Sequence, residues 1–159
     1  MEVLVNAPAR AVWAVLGERF ADIGDWAAPI TASSLEGALG HGAVRTCHTA
    51  RFGPVPAGAI KEQLLDFDPD SMSFAYEAID GMPGFMADAV NRWSVLPFDD
   101  QRCLVRTHAT LTLRGPAALL GFILKRKLQT DGARVLDELR YHVEHGRPHP
   151  RKVRAMSNR

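Results

Sequence analysis

Five residues of this 159-residue chain combine useful chemistry with telling spacing: His48, Glu62, Tyr76, Asn91 and Thr107. An imidazole or a carboxylate can move a proton near neutral pH. A phenol, an amide and a hydroxyl can hold a carbonyl or enolate oxygen by hydrogen bonding. Each of the five sits in a run that reads as a β-strand, where side chains alternate between two faces with period two. Val44, Thr46 and His48 alternate with Arg45, Cys47 and Thr49. Met72, Phe74, Tyr76 and Ala78 share a face, as do Ala89, Asn91, Trp93 and Val95 against Arg92 and Ser94. Val105, Thr107, Ala109, Leu111 and Leu113 oppose Arg106, His108, Thr110 and Thr112. The apolar sets mark the interior, which places His48, Tyr76, Asn91 and Thr107 inside. Arg45 falls on the outer set and reads as structural. Between Ile60 and Phe67 two faces compete, Ile60, Glu62 and Leu64 against Lys61, Gln63, Leu65 and Phe67. A bulge would switch parity midway.

The surrounding elements are well punctuated. A short strand, Val3 to Val5, stops at Asn6, and Pro8 opens a helix at its first turn. Ala11, Val12, Val15 and Leu16 recur at helical spacing and Gly17 ends the run. A shorter helix from Asp22 and Ile23 reaches Trp26 and stops before Pro29. Six strands follow between about Ile30 and Leu113. Gly115 and Pro116 then start one long helix that Gly146 and Pro148 close. Its inner stripe reads Gly121, Leu124, Leu128, Gly132, Val135, Leu139 and Val143. Glycine inside a helix costs about 1 kcal/mol against alanine. Close approach of sheet side chains such as Trp93, or room for a ligand, would offset that cost.

The stretches APARAVWAVLG, DIGDWAAPI, LEGALGHGAVRT and IKEQLLDFDPDSMSFAYEA, with the closing helix, resemble the START-like or helix-grip (SRPBCC) superfamily. Within it they resemble the polyketide cyclase/dehydrase and lipid-transport family, over residues 2–145. The resemblance implies an α+β helix-grip fold: a curved seven-stranded antiparallel sheet wrapped around the long C-terminal helix, with two short helices after the first strand. It also implies a cavity between sheet and helix for a small hydrophobic molecule, in a monomer or a homodimer. Relatives place a pocket carboxylate in the "E-x-L" segment, which favours Glu62 facing inward. The ligand-facing set is then Trp26, Phe74, Tyr76, Phe85, Trp93, Thr107, Leu124 and Leu128. Catalytic candidates are His48 and Glu62 as acid or base, with Asn91 or Tyr76 on the oxygen.

No G-x-G-x-x-G, P-loop, H-E-x-x-H or G-x-S-x-G motif occurs. Cys47 and Cys103 form neither a disulfide framework nor a metal pattern, so neither a metal nor a cofactor is expected. Activity would be that of a cofactor-free cyclase or dehydratase; the competing readings are a carrier or receptor for a hydrophobic ligand, and a partner-binding module. The segment Asp80 to Met86, with Met82, Phe85 and Met86 at its tip, reads as a gate over a pocket mouth or as an ordinary hairpin loop.

Hydrophobic residues make up 47% and charged residues 23%, as in a single globular domain, here residues 1–146. The longest apolar run, Ala117 to Leu124, is closed by Lys125, Arg126 and Lys127. It is far shorter than the ~20 residues of a membrane span. Glu2 and the absence of a basic leader suggest no signal peptide, and a cytoplasmic location is the default. The net charge is +1. Five basic residues and no acid lie from Arg147 onward, leaving 14 basic against 18 acidic in the rest. The body thus lacks the basic face of a nucleic-acid binder, and residues 147–159 read as a solvated, flexible tail.

Overall fold

A computed structural model describes residues 1–50, 57–115 and 121–157. Seven strands form one antiparallel sheet: β1 (Glu2–Val5), β2 (Ile30–Glu36), β3 (Val44–Thr49), β4 (Gly58–Asp68), β5 (Ser73–Asp80), β6 (Met86–Asp99) and β7 (Arg102–Leu113). Their order is β1-β7-β6-β5-β4-β3-β2, which leaves β1 and β2 at the edges. Helix α1 (Ala9–Trp13) follows Pro8, whose carbonyl accepts from the Ala11 and Val12 amides. A π-helical turn over Ala14–Glu18 and a 3-10 turn over Phe20–Asp22 lead into α2 (Ile23–Trp26). Gly17 is required inside that π turn: a Cβ there would come within 2.5 Å of the Trp13 indole.

Cross-strand rows on the concave face explain how the interior is graded. The lowest row runs Phe67, Phe74, Trp93, Thr107 across β4 to β7. Trp13 and Phe20 pack onto it, with ring centroids 5.5 Å (Trp13–Phe67) and 5.3 Å (Phe20–Phe74) apart. The next row is Leu64, Tyr76, Asn91, Ala109. Above it lie Arg45, Glu62 and Ala78, with Ala89 and Leu111 further along. Bulk thus falls from aromatic side chains toward alanines, and the interior opens in that direction.

Helix α3 (Gly121–His145) crosses this face. Pro116 and residues 117–120, where the sequence starts the helix, lie outside the described residues. The C-terminal half of α3 is seated by buried Leu136, Glu138 and Leu139. Its N-terminal half stands off the sheet, with Phe122, Ile123 and Leu128 exposed. The two glycines of its inner stripe divide between the two explanations. Gly132 is a packing site, because a Cβ there would collide with the Met1 side chain. At Gly121 a Cβ would make only ordinary contact with Leu113, 3.7 Å away, beside open space.

The C-terminal segment corrects the expectation of a flexible tail. Helix α4 (Pro150–Ser157) folds back onto α3 and the start of β2. Arg151 donates to Glu138 Oε1 (2.9 Å) and Asp137 Oδ2 (2.6 Å), and buried Lys152 donates from Nζ to the Ile30 carbonyl. The basic residues that looked solvated therefore satisfy an acidic cluster on α3, and that bonding holds the Asp137 carboxyl below the usual range. Glu138 is 2% exposed, so losing its guanidinium partner is costly. Hydrogen bonds to charged groups contribute about 1.5–3 kcal/mol. Arg151→Ala is expected to lower unfolding free energy by about 2 kcal/mol in urea titrations and to speed proteolysis within α4.

Candidate functional site

Adjacent strands bring together an ion pair that parity had separated. In β3 the buried side chains are Arg45 and Cys47, while His48 faces solvent. The expectation of His48 inside is corrected: β3 turns its odd-numbered residues inward. The reason lies on the neighbouring strand. Arg45 is the cross-strand partner of Glu62, and its Nε and Nη2 both donate to Glu62 Oε2, at 2.8 and 2.6 Å. Nη1 donates to the Phe20 carbonyl at 2.7 Å, and the guanidinium lies 3.7 Å over the Phe20 ring. Side-chain exposure is 3% for Arg45 and 14% for Glu62. Burial opposes the Arg45 charge most strongly, but Glu62, Cys47 and Tyr76 together outweigh it and the pKa of the guanidinium is raised. Burial first, then Glu62, pushes the Cys47 thiol up to about 12, so it is no thiolate nucleophile.

Glu62 faces inward, together with Leu64, and the β4–β5 register slips between Leu64 and Asp66. That slip turns Phe67 onto the same face, where it packs on Trp13. The two sets that competed in the sequence are therefore used one after the other.

One row toward the aromatic end, a hydrogen-bonded chain crosses three strands. Thr107 Oγ1 donates to Asn91 Oδ1 (2.7 Å), and Asn91 Nδ2 donates to the Tyr76 hydroxyl (3.1 Å). The buried threonine orients the amide, and the amide orients the phenol. Burial, then the nearby Glu62 charge, raises the Tyr76 pKa strongly, so the phenol keeps its proton. Among the described residues that O–H finds no acceptor, and Glu62 Oε1 receives no hydrogen bond. A free donor and a free carboxylate oxygen thus share one concave face.

Space is distributed unevenly around these groups. At the aromatic end Trp26, Phe74, Tyr76, Trp93, Phe20 and Arg45 surround a void of only about 10 Å³, roughly one water. Trp26, Phe74 and Trp93 are buried there. Two clefts flank α3, the first beside its raised N-terminal half and the second beside its middle and α4. One, of about 560 Å³, is lined by Thr107, Ala109, Leu111, Gly121 and Leu128 among others. The other, of about 460 Å³, is mostly apolar and includes Ala28, Pro29, Ile60 and Val135. Thr107 and Leu128 therefore border open space. Phe85 is exposed in the loop between β5 and β6, and the Leu124 side chain lies outside the described residues. Among the described residues no group of three or more His, Cys, Asp or Glu is placed to hold a metal. No helix among them is long and apolar enough to cross a membrane.

Arg45 is the site residue that parity missed. One arginine and one glutamate on consecutive strands were the available signal.

An antiparallel sheet that grips a long helix, with a small polar cluster on its concave face, defines the helix-grip class. Residues 1–144 match the family described as polyketide cyclase/dehydrase and lipid transport, and the chain belongs to that family. The fold is similar to that of the Zhui aromatase/cyclase from Streptomyces sp. R1128, with TM-score 0.73, 20% identity and 91% of each chain covered. A solution structure from Thermobifida fusca matches with TM-score 0.65 and 28% identity over 91% of this chain and 93% of that one. The carrot (Daucus carota subsp. sativus) Dau c 1 isoallergen Dau c 1.0401 is 29% identical over 91 residues, which are 56% of this chain. The match spans only 57% of that protein's length.

Proposed function

We propose that the chain binds a hydrophobic, carbonyl-bearing molecule beneath the raised half of α3 and acts on it as a cofactor-free cyclase or dehydratase. The observation that carries this reading is the pair of unused polar atoms on one concave face, Tyr76 Oη–H and Glu62 Oε1. A ligand carbonyl oxygen would accept from the Tyr76 O–H, and an acidic C–H would meet Glu62 Oε1. Ala78, Ala89 and Ala109 share that face, and Ala109 lines the 560 Å³ cleft, where a chain or fused rings would sit.

Glu62 Oε1 takes the proton from a carbon between two carbonyls, while Tyr76 donates to the enolate oxygen. The enolate carbon attacks a second carbonyl of the same molecule, and the new alkoxide takes the proton back from Glu62. Loss of a second α-proton and of the hydroxyl then releases water. Arg45 holds the other Glu62 oxygen, so the free one keeps its aim. Enclosure lowers the entropic cost of ring closure. His48, on the outer face of the sheet, has no part in this scheme.

The test pairs native and denaturing mass spectrometry after incubation with poly-β-ketone, polycyclic and fatty-acyl compounds. Consumption beyond one equivalent, with loss of water or a new ring isomer, is expected. One-to-one retention of an unchanged compound would make the chain a carrier or receptor instead. Failure to retain any compound of the three classes would overturn the binding reading itself.

A further inference from the structure

The start of α3 has chemistry that ligand binding does not use. Phe122 and Ile123 are 78% and 66% exposed, the most exposed large apolar residues described. Lys125 and Arg126 follow Phe122 by three and four positions, which sets them beside it on the helix surface. Phe85, also exposed, is tied to the same end of the molecule by the Arg114 amide, which donates to its carbonyl at 2.8 Å. From Thr107 to Thr130 the sequence has four basic residues, Arg114, Lys125, Arg126 and Lys127, and no acid, although the body as a whole is acidic. Arg102 and Arg106, at the far end of β7, are paired with Asp99 and Glu2. The first acid beyond, Asp131, is paired with Lys127 and Arg134.

From this patch we infer a docking surface for an anionic lipid bilayer. Exposed aromatic and aliphatic side chains gain by entering the acyl boundary of a membrane. Neighbouring lysine and arginine side chains gain from anionic headgroups. Charge decides the occupant: a second copy of this chain would bring its own basic cluster against this one. Location adds a consequence. Gly121, Lys125 and Leu128 line the 560 Å³ cleft, so docking would present the cleft mouth to the bilayer. A hydrophobic molecule would then pass between bilayer and cleft with little exposure to water.

The test is co-sedimentation of the whole chain with vesicles of phosphatidylcholine alone, and with about 30% phosphatidylglycerol added, at low and high salt. Binding to the anionic vesicles at least tenfold above the neutral ones, weakened by salt, is expected. Lys125→Gln with Arg126→Gln should reduce it about 30-fold, from the typical gain per basic residue near such a surface. Phe122→Ser with Ile123→Ser should reduce it about tenfold or more while leaving the urea midpoint unchanged, because neither side chain is packed. Equal binding to both vesicle types, or none, overturns the inference. So does a concentration-dependent dimer that the Phe122/Ile123 variant abolishes. Phe122 and Ile123 line neither cleft, so ligand capture by that variant in vesicle-free buffer reads the binding proposal separately.

Discussion

Glu62→Ala is expected to lower unfolding free energy by about 3–5 kcal/mol, because it leaves the 3%-exposed Arg45 without its counter-ion. The Phe20 carbonyl and the Phe20 ring would still touch the guanidinium. Neither carries charge. Stabilities of single domains are about 5–15 kcal/mol, so the variant is expected to lose a large share of its margin. Urea titration measures the loss directly. The double replacement Arg45→Met with Glu62→Leu should recover most of it, since a well-packed apolar pair often equals or exceeds a buried ion pair in stability. If the double variant is as unstable as the single one, the loss comes from repacking around Phe20 and Tyr76 and the charge argument fails. A stable double variant that no longer binds or turns over ligand would locate the purpose of the pair in the site.

Tyr76→Phe addresses the chemistry. Removing one donor to a developing oxyanion typically costs about 10²–10³ in turnover, and that drop is expected here with ligand affinity changed far less. The substitution also deprives Asn91 Nδ2 of its acceptor, so a stability loss of about 1–3 kcal/mol accompanies it. Single-turnover rates and binding constants, measured below the unfolding range, separate the two effects. A protein that only carries its ligand would show a weaker affinity and no reaction to lose. Unchanged turnover with intact binding would remove Tyr76 from the oxyanion role.

Much of the architecture was legible along the chain because it rests on local periodicity. The inward faces of β6 and β7, with Trp93, Val95, Val105 and Thr107 buried, follow from alternation alone. The helical start after Pro8 and the stop at Gly146 follow from backbone chemistry. The Thr107–Asn91–Tyr76 chain needed only three such strands side by side, and parity placed all three residues on one face.

What failed was local in β3 and at the C-terminus, and for a single physical reason. An arginine in isolation belongs in water, so Val44, Thr46 and His48 looked like the buried set. Only the register of β4 against β3 supplies Glu62 opposite Arg45, and that pairing reverses the strand. Arg151 and Lys152 looked solvated for the same reason, until α3 brought Glu138 and Asp137 to one and the edge of β2 brought the Ile30 carbonyl to the other. Periodicity and turn chemistry are written residue by residue, and they determined the elements and the polar row on the sheet. The cost of burying a charge depends on partners far away in sequence, so tertiary structure alone decided where the cations sit and which oxygen of Glu62 remains free.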